Sequence, residues 1–274
     1  MSNSGEQFSV IYWNSLMKAD QDAQMRYIEA MAAAEEPFAM IFTEMPTANE
    51  KRLKQLFDFV SMKTTVVDHD LPEGQCVVSQ APLEVRRDSP WPAIHYDKKL
   101  KFGYLHDERE IVSFDVATES LGTLAIVGGH ITHDHHWWRP GIGMRRPLEW
   151  GQHNRFLREQ IAAGKEFIWV GDTNTATDYK FRSKLLYGID GDVIGGYGAT
   201  WGLWSPNAPK VLRIDKVAAS RKLLPAVSVE RVPAEIHGAR CPSDHGSSSN
   251  KSRRYAARKG CMMSIMSEHV RGIK

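Results

Sequence analysis

The feature that most constrains this chain is a series of short apolar runs, rich in β-branched and aromatic residues, that recurs along most of its 274 residues. Runs of this length bounded by polar or turn-forming residues are strand signals. Residues 8–13, 39–43, 64–67, 76–79, 110–116, 124–128, 167–170 and 211–218 read as strands on this ground. Helical spacing is rarer. Residues 19–34 read as a helix with Asp20 near the start and Pro37 beyond the end, and residues 149–163 as another, stopped by Gly164. Leu53, Leu56, Phe57 and Val60 recur at helical spacing and predict a helix over 49–60.

Two of the runs, FAMIF at 38–42 and FIWV at 167–170, are apolar at every position and so predict strands covered on both faces. Many such strands with few helices imply an α/β protein of packed sheets flanked by helices. No repeat at solenoid or propeller period interrupts residues 1–245, and no long linker divides them, which predicts one domain. Residues 88–92 and 137–147, dense in Pro, Gly and Trp, read as loops. With 42% hydrophobic and 25% charged residues the composition is that of a globular protein and excludes disordered and collagenous classes. Cys76, Cys241 and Cys261 lie far apart and form no CxxC pair. Neither a disulfide framework, a disulfide-linked partner nor a thiolate zinc site is expected, and a reducing compartment fits. The N-terminal residues lack the basic and apolar segments of a secretory signal, and no apolar stretch reaches the ~18 residues that would span a bilayer. The expectation is a cytoplasmic protein.

Where polar residues interrupt this pattern is the functional signal. Apolar runs end in Tyr12-Trp13-Asn14, Thr43-Glu44, Gly129-His130 and Gly171-Asp172-Thr173-Asn174; a further one contains Arg213-Ile214-Asp215, and Ser243-Asp244-His245 follows a loop. Strand ends held by a rigid sheet can aim side chains at one point, so these groups are candidates for a common cleft. Carboxylates with a carboxamide make a hard oxygen-donor site suited to magnesium or manganese, and histidines with a further carboxylate supply proton transfer and charge neutralisation. Hydrolysis of a phosphate ester needs these parts.

The ordered set YWN, TEM, GGHITH, GDTN, RIDKV and PSDH, running from residue 12 to residue 245, resembles the endonuclease/exonuclease/phosphatase superfamily, the group of pancreatic deoxyribonuclease and exonuclease III. GQCVVSQAPL at 74–83 resembles the central strand and turn of that family, and Thr200-Trp201 precedes RID as a Thr-Trp often does there. The resemblance implies a four-layer α/β sandwich, two mostly antiparallel sheets face to face with helices outside, and a Mg2+-dependent phosphodiesterase for which Mn2+ can substitute. It implies that Glu44, Asn14 and Asp244 hold the metal, that Asp172 positions or deprotonates the attacking water, and that Asn174 and His130 donate to the phosphate. His245 would bind or protonate a phosphoryl oxygen, with Asp215 fixing its tautomer.

The family acts on several phosphoesters, so the substrate is read from departures. The acidic residue that AP endonucleases carry two places after the first Asn is Leu16 here, and no Tyr lies between His130 and Asp172, while GDTN is similar to the tyrosyl-DNA phosphodiesterase branch. Trp137, Trp138, Arg139, Arg145 and Arg146 form an aromatic and basic loop able to stack bases and meet phosphates, or anchored by buried indoles. Trp201 and Trp204 read as core residues under the site. The leading expectation is a nuclease hydrolysing DNA; the alternatives are a phosphatase or phosphodiesterase on a small or lipid phosphoester, and a non-catalytic binding protein. A separate signal is the four histidines and one aspartate within residues 130–136, a transition-metal composition. Asp134 falls between His133 and His135, which does not match the HxHxDH box of zinc hydrolases, and His133, His135 and His136 are expected in a loop.

Charge adds one asymmetry. The net charge is +2, yet residues 246–274 hold seven Lys or Arg against one Glu, leaving residues 1–245 with 28 cationic against 32 anionic residues. An acidic body with a basic C-terminal tail is thus expected, the tail supplying attraction to nucleic acid. Members of the family pass from SDH directly into an apolar closing strand. Here Gly246 to Asn250 is polar and a basic run follows, so either the sheet lacks that strand or the tail supplies it in altered form.

Overall fold

A computed structural model describes residues 8–15, 20–35, 38–66, 73–88, 110–118, 121–131, 142–175, 177–195, 215–231, 235–242 and 262–267. Its strands are β1 (Ser9–Asn14), β2 (Ala39–Pro46), β3 (Phe59–Val66), β4 (Glu73–Ser79), β5 (Arg86–Asp88), β6 (Ile111–Thr118), β7 (Gly122–His130), β8 (Glu166–Asp172), β9 (Gly191–Ile194), β10 (Asp215–Ser220), β11 (Val227–Arg231), β12 (Glu235–Ile236), β13 (Ala239–Arg240) and β14 (Met262–Ser267). The helices are α1 (Gln21–Glu35), α2 (Glu50–Leu56), α3 (Ile142–Ala162) and α4 (Asp178–Leu185). One sheet has the order β11-β14-β1-β2-β4-β3, a second β5-β6-β7-β8-β10-β9, and β12 and β13 form a small hairpin. Among the described residues the β1–β2 and β7–β8 neighbours are parallel and the other pairs antiparallel.

The alternation of side chains along each strand builds three apolar layers. Val10, Tyr12, Ile41 and Val77 of the first sheet meet Val112, Phe114, Ile126, Ile168, Val170 and Val217 of the second in an inter-sheet core. The intervening residues face outward. Ile11, Trp13, Met40, Phe42 and Val78 pack under Met25, Ile28 and Met31 of α1 and Leu53 of α2. Ala125, Val127, Phe167 and Trp169 pack under Trp150 and Leu157 of α3 and Phe181 of α4. This is the four-layer α/β sandwich implied by the resemblance, and the doubly apolar runs are strands buried on both faces. Each large side chain removed from water in this way contributes about 1.5–3 kcal/mol.

Boundaries differ where local pattern and tertiary packing disagree. The helix read over 49–60 stops at Leu56, because Phe57 turns extended and β3 begins at Phe59. Leu53, Leu56, Phe57 and Val60 still pack on one apolar cluster, so the spacing marks a common buried face built half from helix and half from strand. The strand at 64–67 is the end of this longer β3. α3 starts at Ile142, inside the segment read as a loop. Asp20 caps α1 by accepting the Ala23 N–H at 2.7 Å, and Gly164 closes α3 with φ +77°.

The C-terminal segment contributes to the first sheet. β14 lies between β1 and β11, pairing Met262 with Trp13 and Met263 with both Tyr12 and Arg231. The tail therefore supplies a strand there after a basic interval. No helix of the described residues is long and apolar enough to cross a membrane.

Candidate active site

Strand directions bring the polar strand ends to one edge of the sandwich. β1 and β2 run parallel and bring Asn14, at the end of β1, and Glu44, near the end of β2, there; β7 and β8 run parallel and finish with His130 and Asp172; antiparallel β10 starts there with Asp215. In the second sheet His130 pairs in register with Asp172, and Asp172 with Asp215, so three site residues form a row across three strands. Side chains then bridge the sheets. Asn14 Nδ2 donates to Asp172 Oδ2 at 3.1 Å, and His130 Nε2 lies 3.5 Å from Glu44 Oε1 and 3.7 Å from Asp172 Oδ2. His130 and Asp172 are buried, while the Glu44 side chain keeps 22% of its surface exposed.

Two local distortions make this convergence possible. Pairing of β2 with β4 shifts between Phe42 and Met45, a bulge that re-aims Glu44, and Glu44 takes φ +54°. Left-handed backbone costs a residue with a Cβ about 1–2 kcal/mol, so the packing around the bulge must hold it. Asn174 is also left-handed, at φ +46°, a conformation that Asn tolerates. Its N–H donates to Asp172 Oδ1 at 2.7 Å, closing a tight Asp-Thr-Asn turn, and its Nδ2 donates to the Ile131 carbonyl at 2.7 Å. The same Nδ2 lies 3.4 Å from His130 Nε2. Protonated at Nε2, the imidazole turns its N–H toward the two carboxylates; unprotonated there, it accepts from Asn174.

The oxygen donors so assembled, the carboxylates of Glu44 and Asp172 with the carboxamide of Asn14, suit a hard divalent cation in their chemistry. Asn14 gives its N–H to a carboxylate, so the atom it can offer a cation is oxygen. Among the described residues no three His, Cys, Asp or Glu side chains form a metal-holding group. A further buried carboxylate, Glu110, runs in register toward His130, since Val112 pairs with Gly128, but it is neutralised by Lys63 and by Arg87 at 2.8 Å.

Several residues that local pattern does not single out support this edge. Tyr12, fully buried on the inner face of β1, accepts the Asp172 N–H at 2.9 Å, shares a hydrogen bond with Thr43 Oγ1 at 2.9 Å and donates to the Gly129 carbonyl at 3.5 Å. Burial, with the carboxylates of Asp215 and Asp172 nearby, pushes its phenol well above the ordinary range and keeps it protonated. Behind the second sheet, His153 of α3 accepts the Trp169 indole N–H at 3.2 Å, and burial lowers its pKa to about 3. The strands carrying His130 and Asp172 approach so closely that a Cβ on Gly171 would sit 2.1 Å from the Gly129 oxygen, and one on Gly129 would sit 2.4 Å from His153 Cε1. Buried Lys216 follows Asp215 and pairs at 2.8 Å with Asp178, in the first turn of α4, tying down the helix that follows the Asp172–Asn174 turn. A paired signal, a basic residue after the RID aspartate and an acidic one four places after Asn174, was present for that last link.

The remaining sequence candidates fall elsewhere. Asp244, His245, Trp137, Trp138, Arg139, Trp201, Trp204 and the histidines at 133, 135 and 136 lie outside the described residues; Arg145 and Arg146 fall on the first turns of α3, where only the backbone is described.

Carboxylates, carboxamides and a histidine gathered at one edge of a two-sheet sandwich are parts that phosphoester hydrolysis uses. The chain is a member of the Endonuclease/Exonuclease/phosphatase family, whose model matches residues 11–245, and whose members are phosphodiesterases, nucleases and phosphatases. Truncated Caenorhabditis elegans TDP2 superposes with TM-score 0.63 at 14% identity, over 96% of this chain and 98% of that one. The human Nocturnin catalytic domain with bound sulfate gives 0.60 at 11% identity, over 95% and 94%. The 3′ phosphatase NExo from Neisseria bound to a product DNA hairpin gives 0.60 at 12%, over 94% and 98%. At these identities the likeness is one of fold. No curated protein sequence matches the chain.

Proposed function

We propose that this chain is a nuclease that hydrolyses DNA phosphodiester bonds with a divalent cation, Mg2+ as the resident ion and Mn2+ as a substitute. The observation that carries this reading is the convergence of Asn14 and Glu44 from one sheet with His130, Asp172 and Asn174 from the other, Asn14 meeting Asp172 at 3.1 Å and Glu44 meeting His130 at 3.5 Å across the gap. Glu44 with Asn14 and Asp244 would hold the cation, which supplies positive charge against the developing phosphorane. Asp172, aligned by the Asn14 amide and the Asn174 N–H, takes the proton of the attacking water as its oxygen bonds to phosphorus and the bond to the leaving oxygen breaks. Asn174 and His130 donate to the non-bridging oxygens, and His245, oriented by Asp215, binds or protonates a phosphoryl oxygen.

The DNA reading is supported by charge and connectivity. Lys251, Arg253, Arg254, Arg258 and Lys259 precede Met262 in the sequence, and Met262 pairs with Trp13, the residue before Asn14. Cations near an acidic cleft attract a polyanion that the cleft alone repels. Trp137, Trp138, Arg145 and Arg146 are proposed to stack on bases and meet phosphates. The cytoplasm is the compartment proposed, on the widely spaced cysteines of the sequence. The test is hydrolysis of single-stranded DNA, duplex DNA, RNA and phosphoinositides with Mg2+, Mn2+ or EDTA. DNA cleavage that needs the cation and is lost in Glu44→Ala is expected. Cleavage of a small or lipid phosphoester alone would transfer the assignment to the phosphatase class, and full activity in EDTA would remove the cation from it.

A further inference from the structure

Tyr12 is not among the groups assigned to bind or react, yet its single hydroxyl touches three of the other four strands that carry them. It accepts from the backbone of Asp172 itself, bonds to Thr43, the residue before Glu44, and donates to the carbonyl of Gly129, the residue before His130. The first link joins positions 160 apart in sequence and the second positions 31 apart. The oxygen therefore sits where the two sheets meet under the cleft, and each bond ends on, or one residue from, a side chain whose separation from the others decides whether a cation fits. We propose that the Tyr12 hydroxyl is a positioning group that sets the distance of Glu44 from the Asp172–His130 pair.

Three observations carry the proposal beyond ordinary core packing. Glu44 sits on a bulge with φ +54°, so its place is not dictated by the ladder and must be held by side chains. The Thr43–Tyr12 bond grips the bulge at its first residue, from the sheet gap. The Asp172 N–H, at the last residue of β8, has the phenol oxygen as its acceptor, so the position of the proposed base is referred to the same atom. A phenol kept protonated has one hydrogen to give and two lone pairs to receive, which matches the three partners found.

This inference rests on the reading of the edge as a cation site, and the experiment separates the two. Mn2+ binding to the full chain is measured by titration calorimetry for the wild type, Tyr12→Phe, Thr43→Val and Phe114→Leu. The last thins the inter-sheet core without touching the edge and serves as a stability reference. Removing a hydroxyl that orients ligating groups should weaken Mn2+ affinity about tenfold in Tyr12→Phe and by a smaller factor in Thr43→Val. Phe114→Leu, destabilised by thermal melting, should bind as the wild type does. In turnover, Tyr12→Phe should lower kcat with KM for the phosphodiester unchanged. Wild-type affinity in Tyr12→Phe, or an equal loss in Phe114→Leu, would overturn the positioning role. Should Tyr12→Phe fail to fold, Thr43→Val against Phe114→Leu carries the same comparison. Absence of Mn2+ binding by the wild type would instead overturn the reading of the edge, and the role of Tyr12 with it.

Discussion

In the sheet that carries β7, β8 and β10, His130, Asp172 and Asp215 stand in one row because neighbouring strands pair in register up to their ends. In the sheet that carries β1 and β2, Asn14 pairs in register with Thr43, but Glu44 stands past that pair, on a bulge with left-handed backbone. The supports differ accordingly. The row is backed by rings: Trp169 packs on Phe181 at 5.2 Å between centroids and stands edge-on to His153. The bulge is backed by polar links, since a bulge leaves backbone groups without ladder partners. The Thr43 carbonyl accepts the Ser15 N–H at 2.9 Å and its hydroxyl at 3.2 Å, Gln24 Nε2 donates to the Ser15 carbonyl at 2.6 Å, and Asn49 Nδ2 donates to Gln24 Oε1 at 3.0 Å. A straight row needs close, rigid backing; a displaced carboxylate needs every stray polar group satisfied.

The largest effect should come from separating the two deliveries. Glu44→Gln and Asp172→Asn should each lower the rate of phosphodiester hydrolysis by about a thousandfold. Raising the Mn2+ concentration should restore part of the rate in Glu44→Gln and none in Asp172→Asn, because the first carboxylate is proposed to hold the cation and the second to take a proton. Equal rescue of both, measured as initial rates against Mn2+, would merge the roles.

Next in size is the spacing of the row. Gly171→Ala places a Cβ 2.1 Å from the Gly129 carbonyl oxygen, a backbone atom that cannot swing away. Chemical denaturation should show a loss of about 3 kcal/mol, with the site disturbed as well. Gly151→Ala, on the exposed side of α3 with open space around the new methyl, should gain up to about 1 kcal/mol and serves as the matched contrast.

A smaller, pH-dependent effect probes the backing of the row. The folded pKa of His153, about 3, lies below its value of 6.5 in the unfolded chain. The unfolded state therefore binds the proton first, and the stability contributed by the neutral ring is complete above pH 6.5 and declines as pH falls toward 3. At pH 5 the loss from this one group amounts to about 2 kcal/mol. His153→Gln keeps an acceptor for the Trp169 indole and cannot titrate, so its melting temperature should fall less steeply between pH 7 and 5 than that of the wild type. Parallel curves would mean that acid sensitivity originates elsewhere.

The two deliveries also differ in how legible they are in sequence. His130 and Asp172 stand at the ends of apolar runs, and a run fixes by itself which residues end a strand, so these positions could be read locally; Asp215 reads as lying inside a run over 211–218, whereas β10 begins with it. Asn14 is of the same kind as His130. Glu44 follows its run as well, but nothing in Phe42-Thr43-Glu44-Met45 announces that the backbone turns left-handed and shifts register, since that depends on β4 alongside. The roles of Tyr12 and His153 have no local signal because their partners lie on strands remote in sequence. The same holds for residues 57–60, whose helical spacing satisfied an apolar face that a strand completes.

Short apolar runs and the polar residues that interrupt them, a property of a few neighbours, were enough to determine most of the strands, the α/β class and, where a run is apolar at every position, the two-sided burial of β2 and β8. What only the tertiary structure decided is how far apart those residues stand. The order β11-β14-β1 in the first sheet, the bulge under Glu44, the hydroxyl of Tyr12 between the sheets and the glycine pair behind His130 and Asp172 all arise from segments distant in the chain packing within van der Waals reach. Distances of 3 to 4 Å between functional groups are set by such packing, and local pattern carries no information about it.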